Sequence, residues 1–339
     1  MTYKTIFKGR LEFGSPKSYD KVLRMYQHRV ESYYKSDVLL KEEEIFDEAS
    51  SSLNVPRYIT QGSEKSWKNT ISLLEYVAQF AVAGKLGAWM TESGKVLHHG
   101  NVEPNSDRIA VQAFIKGRKL CEEQGKETEA IEALNKAIEK YERHGQAYER
   151  RGYVNYLLRN YKDALYDYNK SIDISPNSPE AFYGRAKVHM AMGSHREAIA
   201  DFDQAIKKSI PLQSIYWRAR RKKGDCHIAI GDYKGALLDL KLLTKRIFKS
   251  DDPNFSWRRV DFFNYGRAMS ETGSNEEAIE LFNAALTLED GPKKLSEATI
   301  LVHRGLASHR VGDKSYVEDW TRATELGAEE AKELLEEYA

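Results

Sequence analysis

Near the N-terminus the apolar residues alternate. In "TIFKGRLEF", Phe7, Leu11 and Phe13 share one face, with Gly9 between them, and Lys8, Arg10 and Glu12 lie on the other. That period of two predicts a strand. In "YDKVLRMYQHRVESYY" the spacing changes, and Val22, Met25, Tyr26, Val30 and Tyr33 form a helical stripe. "SEKSWKNTISLLEYVAQFAV" predicts a second helix, with Ser63 as its N-cap and an acidic first turn. "GAWMTESGKVLHHG" predicts two strands around a Glu-Ser-Gly turn. Residues 1–105 therefore read as a small α+β domain, with helices on one face of a sheet.

After about Asn105 a longer period takes over. "AIEALNKAI" (130–138) returns as "ALYDYNKSI" (164–172) and "AIADFDQAI" (198–206), 34 residues apart each time. "ALLDLKLL" (236–243) and "AIELFNAAL" (278–286) follow after 38 and 42 residues, so two connections carry insertions. Another helix precedes each of these, such as "AYERRGYVNYLL" (147–158) and "FFNYGRAMSETG" (262–273). Glycines recur seven apart at 224/231, 266/273 and 305/312: the first admits a close helix crossing and the second ends the helix. Four positions after each small alanine stands a space-filling side chain: Leu134, Tyr168, Phe202, Leu240 or Phe282.

These residues and spacings resemble the tetratricopeptide repeat, from about Arg108 to Ala339. There are five clear repeats and a degenerate sixth (301–327), whose second helix is one residue short. The first repeat has an extra residue between Gly117 and Gly125, and the fourth has Arg220 where an aromatic is usual. "AEEAKELLEEYA" reads as a capping helix with a soluble acidic outer face. The fold class expected is mainly α: a right-handed solenoid of five to six helix pairs over 106–339, preceded by the α+β domain. The resemblance further implies that the first helices line a concave, peptide-binding groove. Carried over by repeat position, its candidate residues are Tyr153, Tyr156, Tyr183, Lys187, Arg218, Arg221, Lys222, Asn264 and Arg267. Tyrosine offers flat apolar area with one hydroxyl, and arginine can grip a carboxylate with two bonds. The partner expected is an acidic segment of another protein. The clamp that some family members use on chaperone C-termini is not matched, because Arg150, Glu180 and Gly184 stand where other residues are required.

Charge sharpens one question. Five of the seven residues Trp217–Lys223 are basic, as in a nucleic-acid patch. Yet Lys plus Arg total 52 against 51 Asp plus Glu, which disfavours a dedicated nucleic-acid binder. RNA or DNA binding by this helix stays as the alternative. Two distant cysteines offer neither a disulfide framework nor metal spacing. With no signal-like or membrane-spanning apolar run, a cytoplasmic location is expected. "ESGKV" lacks the first glycine of a phosphate loop, and His98 and His99 are adjacent and point apart in a strand. No metal, cofactor or catalytic residue is expected, and the chain reads as a non-enzyme. For the N-terminal domain four roles are open: a cap on the first repeat, homodimerisation, ligand binding or an enzymatic module, and docking of a second partner.

Overall fold

The structure is a computed structural model that describes residues 1–338. The N-terminal elements are β1 (Tyr3–Glu12), α1 (Pro16–His28), α2 (Glu42–Ile45), β2 (Phe46–Asp47), β3 (Ser52–Gly62), α3 (Glu64–Ala78), β4 (Ala83–Glu92) and β5 (Lys95–Val102). Among the described residues thirteen further α-helices follow. They are α4 (Ile109–Leu120), α5 (Glu127–Lys140), α6 (Gly145–Leu157), α7 (Tyr161–Ile174), α8 (Pro179–Ala191), α9 (His195–Lys208) and α10 (Ser214–Ala229), then α11 (Tyr233–Lys245), α12 (Arg258–Glu271), α13 (Asn275–Thr287), α14 (Glu297–Val311), α15 (Tyr316–Glu325) and α16 (Glu329–Tyr338). The chain divides into two compact units, Met1–Val188 and His189–Ala339, so the sheet and the first helix pairs belong to one unit.

The sheet is antiparallel in the order β2-β3-β1-β4-β5. Phe7, Leu11, Leu53, Leu86 and Met90 from the strands bury against Val22, Tyr26, Leu73, Leu74 and Val77 from α1 and α3. Ser63 caps α3 by accepting from the Ser66 amide at 3.0 Å. Two features depart from the sequence reading. β3 escapes the alternation test because Pro56 interrupts it. The β1–β3 register shifts between Phe7 and Gly9, so Pro56 and Arg57 bulge opposite Lys8, where a missing amide is tolerated. The expected stripe on the first helix also fails at its end. Past His28 the helix opens into one π turn (Arg29–Tyr33), which rotates Tyr34 into the core and leaves Tyr33 72% exposed.

In the repeat region the sequence register holds. Ala130, Ala164, Ala198, Ala236 and Ala278 are all fully buried, as are their space-filling neighbours from Leu134 to Phe282. In the sixth repeat Trp320 takes that place, and its indole donates to the Val302 carbonyl at 3.2 Å. Gly305 faces this ring so closely that a Cβ would collide with it. Gly312 ends α14 at φ 79°. α16 buries Ala331 beside Trp320, and Glu329, Glu330, Glu333, Glu336 and Glu337 stay in solvent.

Candidate functional site

A recurrent polar clamp sets the first helices in place. Arg151 on α6 donates to both carboxylate oxygens of Asp167 on α7 (3.0 and 2.6 Å) and to Asn135 on α5 (2.6 Å). One period later Arg185 donates to Asn169 at 2.6 Å. In the fourth repeat Lys223 holds that position, bonded to Asp239 (3.0 Å) and Asp203 (2.7 Å). The cation has lost its fork and the amide has become a carboxylate, so the joint persists with different chemistry. In the sixth repeat Arg304 bonds Asp319 and Asn283. The fifth repeat breaks the rule, with Tyr265 and Leu281 at the clamp positions. There the joint is made on other positions of α10 and α12. Arg221 donates to both oxygens of Asp261 (2.6 and 2.8 Å), and Asn264 donates to Asp225 at 3.1 Å.

This accounts for most of the basic stretch. Arg220 pairs with Asp239 and lies over the Tyr216 ring. Arg221 is 2% exposed, held by Asp261 and by Asn254 at 3.0 Å, with Trp257 stacked 5.3 Å away. Lys222 bonds Asp225 at 3.0 Å and also lies near Trp257. Lys223 has its two aspartates. Arg220, Arg221, Lys222 and Lys223 therefore meet carboxylates within their own unit, and the Arg218 side chain is exposed. Arg221, read from sequence as a groove residue, is a buried strut with its guanidinium committed to Asp261. Burial pushes the Asp261 carboxyl up to about 6, against the lowering effect of Arg221. Asn254 and Trp257 come from the insertion before α12, and sequence reasoning missed both. The insertion length was visible; the residues it would bring onto α10 were not.

Of the remaining candidates, Arg267 is half-buried, 5.8 Å from the Phe263 ring. Burial, assisted by Arg267 and Arg310, lowers the nearby His303 imidazole to about 4. Asn264 is buried. In the first unit three candidates do come together. Lys187 on α8 places its ammonium 4.3 Å from the Tyr156 ring centre and 5.7 Å from that of Tyr153, both on α6. Tyr183, a turn before Lys187, is buried. Beside them Glu149 is held above the ordinary carboxylate range by burial, partly offset by Arg150 and reinforced by Glu180.

Within this same unit the sheet segment meets the first helix pairs through polar contacts. The Gln146 side chain on α6 accepts from the Gly84 amide at 2.9 Å. Tyr141 donates to Glu12 at 3.3 Å, and Lys8 donates to the Asn177 carbonyl at 3.4 Å. Glu103, between β5 and α4, pairs with Arg118 at 2.6 Å and Lys85 at 3.7 Å. These contacts sit on the second repeat as much as the first. His144, which opens α6, is fully buried between Phe114 and Tyr141, and burial lowers it to about 4. Its Nδ1 accepts from the Ala147 amide at 3.3 Å, so the ring is neutral. Among the described residues no group of three His, Cys, Asp or Glu is placed to hold a metal, and no helix is long and apolar enough to cross a membrane.

Comparison with known proteins agrees with this architecture. A TPR-repeat family model matches residues 152–193, and a second, tetratricopeptide repeat, matches 183–249. Residues 152–249 therefore carry tetratricopeptide repeats. Among solved structures it is similar to pilF of Pseudomonas aeruginosa: 13% identity, TM-score 0.52, covering 68% of this chain and 98% of that one. It is also similar to YrrB, described as a TPR protein with an unusual peptide-binding site: 18% identity, TM-score 0.51, covering 60% and 98%. At these identities the likeness is one of fold. No curated protein matches the chain.

Proposed function

We propose that this chain is a non-catalytic adaptor that binds a segment of another protein on the surface of its first helices. The observation that carries this reading is the cluster of Tyr153 and Tyr156 under the Lys187 ammonium. It joins flat aromatic area to a cation on rigid helices, the composition that anchors binding hot spots. Arg218 and Arg267 add positive charge in the second unit, which favours an acidic segment. Two free cysteines suit a reducing compartment, and we place the protein in the cytoplasm. Arg221 takes no part in this reading, since its charge is already matched.

The test is capture of partners by the tagged full chain, with half of each lysate treated with nuclease. Tyr153→Ala/Lys187→Glu and Arg218→Glu/Arg267→Glu are run beside the wild type. Nuclease-resistant protein partners lost in either variant are expected, and raised salt should weaken their capture. A catch that vanishes with nuclease would replace this reading with nucleic-acid binding. Partners retained by both variants would remove the first helices from the interface.

A further inference from the structure

Among the described residues the Arg267 guanidinium on α12 forms neither an ion pair nor a hydrogen bond, and it lies 5.8 Å from the Phe263 ring centre. Phe263, Arg267 and Ser270 follow at helical spacing, so they share one face of α12. His303, Leu306 and Arg310 share a face of α14 in the same way. The two faces touch at both ends. The Phe263 and His303 rings are 5.2 Å apart. Two turns further along each helix, Arg310 donates to the Ser270 hydroxyl at 2.8 Å and to the Glu271 carboxylate at 2.9 Å. Arg267 stands between these two contacts and one turn from Ser270 and Glu271, which places it beside Arg310. Arg267 is half-buried, whereas Arg310 and Glu271 are exposed, so the spot is open to solvent.

We propose that Arg267 and Arg310 grip one carboxylate side chain of the acidic segment that binds the first helices; the proposal rests on the adaptor reading above. Arg310 is already oriented for this. Ser270, which holds one of its nitrogens, is itself fixed by donating to Asn275 at 2.8 Å. The two bonds of Arg310 leave other N–H donors of its fork unused, and Arg267 brings a whole fork. Charge selects the chemical class. The two faces carry two guanidiniums and one carboxylate, Glu271. His303 is neutral at pH 7, because burial, then Arg267 and Arg310, lower it to about 4. The surplus is a single positive charge, which one aspartate or glutamate balances. A phosphoryl group, at about −1.5 to −2, overshoots it. The effect of both arginines on His303 shows that Glu271 leaves the field between the helices positive.

The experiment is an NMR titration of the full chain, with ring-labelled histidine and tyrosine, by acetylated and amidated tetraglutamate. At pH 6 the glutamates are ionised and His303 is neutral. A saturable shift of the His303 imidazole signal, identified by its loss in His303→Gln, is expected. Arg267→Gln and Arg310→Gln should each raise Kd about tenfold with unchanged far-UV circular dichroism. Arg267→Lys keeps the charge without the fork and should fall between. Arg267 bonds no other side chain, so its variants carry the test if Arg310→Gln misfolds. A His303 signal that stays still up to the solubility limit of the peptide overturns the proposal, as do folded glutamine variants that bind as tightly as the wild type. Inorganic phosphate binding more tightly than the peptide would give the site to phosphoryl groups and overturn it too. Shifts at Tyr153 and Tyr156 with His303 still would remove this site and leave the adaptor reading standing. That reading fails separately, when capture yields no nuclease-resistant partner.

Discussion

Arg221 shows how far residue type and repeat position can mislead about role. Its place on a first helix marked it as a groove cation, and its neighbours marked it as part of a basic patch. The structure buries it against Asp261, 40 residues on, and Asn254, 33 residues on. Removing one member of such a pair leaves the other charge buried and uncompensated. Arg221→Met is expected to destabilise the protein by about 3–5 kcal/mol, read from urea unfolding. Arg221→Met/Asp261→Leu should recover most of that loss, because no orphan charge remains. An Arg221→Met variant as stable as the wild type would show that the pair contributes nothing. Tyr153, Tyr156 and Lys187 are the opposite case: repeat register put them on adjacent first helices, and they meet.

At the scale of elements, small residues decide how closely helices cross. Ala is a better helix former than Gly by roughly 1 kcal/mol, so propensity alone favours Gly305→Ala. Packing reverses the sign. A Cβ at 305 collides with the Trp320 indole, which is rigid, fully buried and bonded to Val302. Gly305→Ala is therefore expected to cost about 1–3 kcal/mol, seen as a lowered denaturant midpoint. A raised midpoint would mean that α14 and α15 separate without penalty. The polar clamp belongs to the same scale. Arg151 and Arg185, Asp167 and Asp201, and Asn135 and Asn169 each stand 34 residues apart, so its parts were legible. That Arg151, Asp167 and Asn135 form one bonded unit was not, since three helices must assemble before the three side chains touch. The strand β3 and the π turn after α1 were missed for local reasons: Pro56 broke one period and an inserted residue shifted the other.

For the molecule as a whole, buried histidines lower stability in acid. His144 and His303 are held near 4, below the ordinary imidazole value of 6.5, because burial penalises their charged forms. Between those two values the unfolded chain binds protons that the folded chain refuses. The histidine contribution to stability is therefore complete above pH 6.5 and falls as the pH drops towards 4, by roughly 3 kcal/mol for the fully buried His144, while the raised Asp261 carboxyl takes up its proton in the same window and works in the opposite direction. Thermal unfolding at pH 7, 5.5 and 4.5 measures this loss. His144→Asn, which keeps a side chain able to cap α6, should flatten the curve. An unchanged slope would assign the acid sensitivity to other groups.

Some of this protein was fixed by local pattern alone. Alternation, helical stripes, caps and the 34-residue period follow from short-range geometry, and they sufficed for α1 as far as His28, for α3, the β4–β5 hairpin and the repeat register from Ala130 to Ala278. Tertiary structure decided which charges remain on offer. A cation in a sequence has no partner until the chain brings one near, and Arg220, Arg221, Lys222 and Lys223 find carboxylates on neighbouring helices or within their own. Contacts made across tens of residues turned an apparent basic patch into the joints that hold α10 in place.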